Sequence, residues 1–567
     1  MTRLPSLILL IITSGPLQAA DPPAVEARQG MVVAAEPLAA EVGVAILKGG
    51  GNAVDAAVAV GFALAVTYPV AGNIGGGGFL VASLSAQGKR HSVALDFREM
   101  APAAAHRDLY VQAARNGRKD ASTLGHLAAG VPGSVAGLLR AHQKWGRLDR
   151  DRVLAPAIRL AEEGFPMPER IHAFFSHPHR AKQLQRYAGT RHVFYPGGKV
   201  IPTGALFRQP ELAETLRRIR DQGADGFYRG EVAEAIVREM ERGGGVITLD
   251  DLASYQTVER EPVTFQFRGL TVISMPPPSS GGVCLQQMLT MLDRYPLEKL
   301  GHNSSISLHL LSEAMRRSFA DRNLYLGDPD HHSLPLERML SKAHLEKLAA
   351  TIDAKRATPS EALLAEFRAP GREGEQTTHY SVVDAEGNAV AVTTTLNGGY
   401  GSKVVVPGAG FLLNNEMDDF ATEPGKPNLY GLVQGEANAV GPRKRPLSSM
   451  TPTVVLDVKG QPCYVLGTPG GPTIISNVLQ VFLNLVVYQL PPQAAVNTAK
   501  IHHQCIPDRL YYEKKLSADV LEGLRSRGHR LQRRGWIGDF QLIAVDRVRG
   551  VLLGVSDPRG EGRAVGY

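Results

Sequence analysis

EGEQTTHYSVVDAEGNAVAVTTTL, residues 373–396, decides how this chain is read. Its right half is two β-prone runs around Asp384-Ala-Glu-Gly-Asn388, a turn sequence, and predicts a hairpin. A symmetric five-residue loop pairs Val383 with Ala389, and every later pair then sums to the same index. Thr377 therefore falls opposite Thr395, whereas a four-residue loop would shift the register by one and change the facing pair. The left half starts a strand with Thr377-Thr378, directly after a charged, glycine-containing stretch. A threonine hydroxyl is a poor nucleophile because its proton is held tightly. Were Thr377 the first residue of a chain, its own α-amine, with an ordinary pKa of about 7.7–8, would be a local base for that proton. That requires the bond between Gln376 and Thr377 to open. Residues 351–376 lose apolar periodicity and gain Pro, Glu and Arg, and read as a linker where a break is sterically easy. Paired threonines also begin strands for purely structural reasons, so the dipeptide alone leaves both readings open.

The surrounding chain narrows the class. Its 567 residues exceed one ordinary core and imply several domains or one large layered domain. Lys and Arg total 62 against 55 Asp and Glu, a net charge of +7 that is mild for this length. The densest basic spots, Arg316-Arg317, Arg443-Lys444-Arg445 and Arg533-Arg534, have no interleaved aromatics, so a nucleic-acid partner is disfavoured. Residues 1–20 carry Arg3, an apolar run from Leu7 to Ile12 and small residues at Ala19 and Ala20. They read as a signal peptide cut after Ala19 or Ala20, the apolar run being far short of the roughly 18 residues of a membrane span. The three cysteines, Cys284, Cys463 and Cys505, lie far apart and allow at most one bridge. Export across the inner membrane into a periplasm fits this better than a disulfide-stapled extracellular domain.

Periodicity predicts helices over 37–48, from Asp55 onward, and over 131–145, 151–163, 230–242, 305–324 and 477–490. Strand patterns fall near 30–35, 79–84, 92–97, 263–274, 379–383, 389–396, 403–406, 410–413, 452–457 and 462–466. The two kinds group in blocks without a regular βαβ rhythm, which predicts an α+β fold of packed sheets covered by helices.

Several polar clusters have both a ligand-binding and a structural reading. Asn414-Asn415-Glu416-Met417-Asp418-Asp419 follows an apolar strand and suits capture of an ammonium group, or is a solvated turn. A metal loop is less apt there, with no histidine nearby and no calcium-loop spacing. Ser448-Ser449 offers paired hydroxyls for a carboxylate or a helix cap. Gly467-Thr-Pro-Gly470-Gly471 offers backbone N–H groups for an oxyanion, or is a tight turn. Arg98 ends a strand and suits bidentate carboxylate binding, or pairs with Glu99. The chain has no Gly-x-Ser-x-Gly elbow, no His-Glu-x-x-His and no phosphate loop.

Together these residues resemble the γ-glutamyltransferase (γ-glutamyltranspeptidase) family. The resemblance is carried by Thr377-Thr-His-Tyr-Ser-Val-Val-Asp384, Leu413-Asn-Asn-Glu-Met-Asp-Asp-Phe420, Pro446-Leu-Ser-Ser-Met450 and Gly467-Thr-Pro-Gly-Gly471. Asp96-Phe-Arg-Glu-Met-Ala-Pro102, Met275-Pro-Pro-Pro-Ser-Ser-Gly-Gly282 and Tyr325-Leu-Gly-Asp-Pro-Asp330 extend it, and it runs in order from about Gly30 to Tyr567. It implies a four-layer αββα sandwich of the N-terminal nucleophile hydrolase type, built from two subunits cut from one precursor at Gln376-Thr377. The large subunit would be 21–376 and the small one 377–567, paired as a heterodimer. The resemblance makes Thr377 the nucleophile and gives Thr395 a hydrogen bond to its hydroxyl. It assigns Arg98, Ser448 and Ser449 to a substrate α-carboxylate, and Asn397, Glu416 and Asp419 to its α-ammonium. Gly470 and Gly471 would form the oxyanion hole, and Tyr430 would gate a lid over 422–445. Glutathione and other γ-glutamyl compounds are the implied donors, with water, amino acids or peptides as acceptors, and no metal or organic cofactor. Cephalosporin-type acylases of the same architecture are the alternative. One departure is Cys505, where a bulky aromatic is expected.

Overall fold

The Asp384 carboxylate closes the hairpin read above. Its Oδ1 accepts from Glu386 N and Asn388 N, both at 2.9 Å, and its Oδ2 from Asn388 Nδ2 and Ala53 N, both at 2.8 Å. The strands Thr378–Val383 and Ala389–Thr395 then pair antiparallel with Val383 opposite Ala389 and Thr378 opposite Thr394, the expected register. The chain is described here from a computed structural model covering residues 23–86, 88–364 and 377–567. The expected signal peptide, Gln376 and the second half of the expected linker lie outside the described residues.

The hairpin forms the centre of a seven-stranded antiparallel sheet, ordered Arg563–Gly566, Met31–Ala34, Thr378–Val383, Ala389–Thr395, Gly77–Ala86, Lys89–Phe97 and Val258–Arg260. A second seven-stranded antiparallel sheet faces it, ordered Val25–Ala27, Val551–Ser556, Gln541–Asp546, Pro462–Gly467, Thr453–Leu456, Leu270–Ser274 and Val263–Phe267. Alternation along each strand divides the core in two. Val32, Leu80, Ala82, Tyr380, Val382, Val390 and Val392 pack with the helices Pro37–Lys48, Ala53–Thr67 and Ser134–Trp145. Met31, Val33, Phe79, Val81, Val383, Ala389 and Ala391 pack instead in the core that holds the second sheet. That core continues to the helices Gly281–Leu292, Ser305–Tyr325 and Thr473–Val486. The result is helix, sheet, sheet, helix, as expected, with the central strands buried on both faces.

The differences from the sequence reading are local. The runs 403–406 and 410–413 form one isolated bridge, Val405 to Leu412, in place of two strands. Lys403, Gly408 and Gly410 take φ of 71°, 78° and 75°, which bends the segment out of any ladder. Residues 263–274 are two strands turned at Arg268 and Gly269. The helix expected at 477–490 is Thr473–Val486, and the one expected from 131 starts at Ser134 because Val131 bridges to Met100. The first half of the expected linker is docked: Thr358 Oγ1 donates to Glu313, and Ser360 N to Asp508. All three cysteines are free. Among the described residues, no helix is long and apolar enough to cross a membrane.

Asp384→Ala strands four donors at once, three of them in buried surroundings. We expect its thermal unfolding midpoint, measured by calorimetry, to fall by about 5 °C or more. An unchanged midpoint would show that the turn holds its register without this carboxylate.

Candidate active site

Strand parity decides which side chains meet. Ser381 Oγ donates to Gln541 O of the second sheet at 3.2 Å, so the odd-numbered residues of that strand face between the sheets. Thr377, 7% exposed, lies on the same side at the strand's open end. Its Oγ1 is 3.4 Å from Thr395 Oγ1, longer than the usual hydroxyl bond of about 2.8 Å and close enough to tighten. Asn397 N donates to Thr395 Oγ1 at 2.8 Å and fixes it. His379, one turn of the pleat away, contacts Thr393 Oγ1 at 2.8 Å and Ser381 Oγ at 3.2 Å. Burial pushes its pKa down to about 3, so it stays neutral and is no candidate for the base.

The second sheet supplies the opposite wall. Its strand Pro462–Gly467 runs into Gly470 and Gly471, whose φ values of 135° and 55° favour glycine. Thr473 Oγ1 donates to Gly470 O at 2.8 Å and holds the turn. Among the described residues, the N–H groups of Gly470 and Gly471 donate to no acceptor. The helix Thr473–Val486 begins just beyond, and its N-terminal end adds positive potential there. Two free donors under a helix start suit an oxyanion.

Arg98 is fully buried and ion-paired through Nη1 to Glu416 and through Nη2 to Asp419, with Glu99 at 3.6 Å. Burial opposes the guanidinium charge, but Glu416, Asp419 and Glu99 outweigh it and hold the Arg98 pKa above its ordinary value. Burial pushes the Glu99 and Glu416 carboxyls up, since one cation cannot satisfy so many anions. The residues expected to take substrate carboxylate and ammonium are thus adjacent, and here they neutralise each other. Asn397 has φ 71° and donates Nδ2 to Asn415 O at 2.9 Å; its Oδ1 is buried without a partner. Glu416 Oε2 is likewise unpartnered. Both suit an incoming ammonium.

Ser448 and Ser449 are buried beside Arg98 in the same cavity. Tyr430 covers it: its hydroxyl donates to Asn397 O at 2.7 Å, and a Cβ on Gly471 would lie 2.8 Å from its ring. The cavity is closed to about 20 Å³, room for roughly one water. The neighbouring Asp418 carboxylate ties the cover down, accepting from Ser122 Oγ and from Leu429 N, both at 2.7 Å. A cavity of about 520 Å³ between His192 and Leu212 is larger, but its mostly apolar lining brings no nucleophile to an anion site. The expected residues Arg98, Thr377, Thr395, Asn397, Glu416, Asp419, Tyr430, Ser448, Ser449 and Gly471 all line the small cavity. So does Arg322, which sequence reading missed. Among the described residues, no cluster of three His, Cys, Asp or Glu side chains is arranged to hold a metal ion.

A layered αββα sandwich with a threonine at the open end of a central strand, between the sheets, defines the N-terminal nucleophile hydrolase class. The family model described as Gamma-glutamyltranspeptidase matches residues 39–567. A glutathione hydrolase proenzyme of Escherichia coli (strain K12) is 45% identical over 535 residues, covering 94% of this chain and 91% of that protein. One from Pseudomonas sp. (strain A14) is 44% identical over 562 residues, covering 97% and 96%. Among solved structures, a cephalosporin acylase from Bacillus halodurans superposes with a TM-score of 0.84 at 28% identity, covering 99% of each chain. The chain belongs to the γ-glutamyltranspeptidase family.

Burial raises the Asp418 pKa to about 6, above the ordinary value of 3.8. The folded state therefore holds this proton more tightly than the unfolded state, and ionising the group costs stability as pH rises from about 4 to about 6. Asp418→Asn keeps one acceptor oxygen, for Leu429 N, and turns its amide N–H toward the Ser122 hydroxyl, which can accept, all without the charge. Its melting point should equal or exceed the parent's at pH 7, with the difference vanishing near pH 4. A variant less stable at pH 7 than at pH 4, relative to the parent, would reverse this sign.

Proposed function

We propose that the chain is an exported proenzyme that opens its own Gln376-Thr377 bond and then cleaves or transfers γ-glutamyl groups. In the first reaction the Thr377 hydroxyl attacks the Gln376 carbonyl carbon. The acyl group moves from nitrogen to oxygen, and water hydrolyses the ester, leaving a Gln376 carboxylate and a free Thr377 amine. In the second, that amine takes the hydroxyl proton as Oγ1 attacks the donor's γ-carbonyl. Gly470 and Gly471 N–H groups stabilise the oxyanion, and Thr395 orients the nucleophile. Collapse expels the amine portion and leaves a γ-glutamyl ester on Thr377. Water completes hydrolysis, and an amino acid or peptide amine completes transpeptidation.

The observation that carries this reading is the complementary pair beside the nucleophile: Arg98 against Glu416 and Asp419 in one cavity with Thr377. A glutamyl α-carbon bears one carboxylate and one ammonium. Its carboxylate can replace the acids on Arg98, and its ammonium can replace Arg98 on the acids, so both charges exchange partners without an orphan. Arg98, Ser448 and Ser449 would hold the carboxylate; Asn397, Glu416 and Asp419 the ammonium; Tyr430 would open to admit them. Glutathione and other γ-glutamyl compounds are the donors this selects. After cleavage, 21–376 and 377–567 would remain a heterodimer. Removal of residues 1–20 on export to the periplasm would be read by N-terminal sequencing of the large subunit.

Thr377→Ala should remain a single chain on a denaturing gel while the parent gives two unequal bands; normal processing of the variant would remove Thr377 from its role. The parent should turn over γ-glutamyl-p-nitroanilide at least about a hundredfold better, in kcat/KM, than glutaryl-p-nitroanilide. The glutaryl group has no ammonium and leaves Glu416 and Asp419 facing hydrogens. Asp419→Ala should narrow that gap by harming the first donor more. Equal rates on both donors would replace this reading with an acylase of the cephalosporin type. The γ-glutamyl rate should fall as pH drops below about 8, where the α-amine protonates.

A further inference from the structure

Three large buried arginines lie on the helix Ser305–Tyr325, and two are paired with acids. Arg316 contacts Glu313 and Asp508, and Arg317 contacts Glu313 at 2.7 Å. Arg322, in the last turn and 1% exposed, is different. Its Nε donates to Ser280 Oγ at 2.9 Å, Nη1 to Asn323 Oδ1 at 3.2 Å and Gln434 Oε1 at 3.3 Å, and Nη2 to Ser449 Oγ at 3.2 Å. Every acceptor is neutral, and among the described residues no carboxylate forms an ion pair with it. Burial pushes its pKa down to about 10, and the more distant Asp419 offsets this only in part. A buried charge in this state is costly unless something pairs with it.

Its contacts reach both serines, Ser449 directly and Ser448 through Ser280. Ser449 Oγ accepts from Arg322, so its own proton points elsewhere. Ser448 Oγ accepts from Met450 N at 3.1 Å, with the same consequence. Ser280 Oγ accepts from Arg322 and donates to Ser448 O at 2.7 Å, and Ser280 N donates to the same oxygen at 2.9 Å. The run Met275-Pro-Pro-Pro-Ser-Ser-Gly-Gly282, which the mechanism leaves without a role, thereby becomes the bracket between the arginine and Ser448. Arg322 lines the same cavity as Arg98.

We propose that Arg322 is the positioning residue of the carboxylate end of the site, aiming the Ser448 and Ser449 hydroxyl protons at a donor's free α-carboxylate and supplying the second positive charge that selects it. This rests on the γ-glutamyl reading and assigns the charge selection to a residue outside its ligand set. The exchange on Arg98 leaves the net charge of the site unchanged, and Arg322 adds to the carboxylate end a positive charge that is hydrogen-bonded only to neutral groups.

The test compares γ-glutamyl-p-nitroanilide with its α-carboxamide, which has the same shape and ammonium but no carboxylate. In the parent, turnover of the first donor checks the underlying reading separately; its absence overturns that reading and this one with it. Arg322→Gln should still process into two chains. It should raise KM for the carboxylate donor by about tenfold to a hundredfold with a smaller change in kcat, and leave KM for the carboxamide within about threefold. Equal losses on both donors would make Arg322 a packing residue, and no loss on either would make it idle. Should the glutamine variant fail to fold, Arg322→Lys keeps the charge and loses the fork. It should retain a preference for the carboxylate donor while raising its KM, and Ser280→Ala should raise that KM by about threefold or more. Lysine and alanine variants with unaltered KM would overturn the proposal.

Discussion

The register of one hairpin governs the rest of the molecule. Asp384 gathers four donors into a turn of fixed length, and that length sets Val383 against Ala389. One residue more or less would turn every side chain of the strand to its other face. With this register, Tyr380 and Val382 enter the helical core, while His379 and Ser381 enter the space between the sheets. Thr377 inherits the same side and meets Thr395. The same carboxylate also accepts from the first N–H of the helix Ala53–Thr67, so the turn and the layer above it are fixed by one group.

Close approach then builds the walls around that threonine. A Cβ on Gly75 would lie 2.1 Å from Leu412 O, and one on Gly76 would lie 2.1 Å from Thr395 O. The glycine run lets the backbone press against the strand end and fixes Asn73, whose Nδ2 donates to Thr395 O at 2.9 Å. From the other sheet, a Cβ on Gly467 would lie 2.3 Å from the His379 ring, so the Gly470-Gly471 turn starts in direct contact with the strand that Thr377 leads. The charges follow a similar economy. Arg98 carries acids on both of its arms, and Arg322 carries none, so the cavity as a whole is matched to a group bearing both signs.

Much of this was legible before the fold was known, for a physical reason. Hairpin register follows from loop length, and loop length is written in Asp384-Ala-Glu-Gly-Asn388. Burial on both faces follows from unbroken apolar runs such as 389–392. Arg98, Glu416 and Asp419 stood out as charges at strand ends, but their mutual ion pairs depend on two segments more than three hundred residues apart by sequence and were invisible. Arg322 was hidden more deeply. It follows Arg316-Arg317 on one helix, and the neighbouring arginines solve burial by pairing with Glu313 on the same helix. Only Ser280, Gln434 and Ser449, brought from three other segments, reveal that it lacks an acid. The runs at 403–413 misled because Val404–Val406 and the apolar 411–413 fit strands, while the left-handed backbone at Lys403 carries no strong sequence mark.

Strand order also explains how the chain would tolerate the proposed cut before Thr377. The strand Thr378–Val383 has Met31–Ala34 on one side and Ala389–Thr395 on the other, one from before the cut and one from after it. The second sheet mixes the same way: Thr453–Leu456 pairs with Leu270–Ser274, and Val551–Ser556 with Val25–Ala27. The C-terminal strand Arg563–Gly566 closes on Met31–Ala34. Apart from the hairpin itself, each of these ladders joins residues before 377 to residues after it, and both cores cross the same divide. Opening the peptide bond before Thr377 would break no ladder hydrogen bond among the described residues. It would free an amine beside the Thr377 hydroxyl while two shared sheets held the two pieces, so the geometry that the hairpin sets in the precursor would pass intact to the cut form.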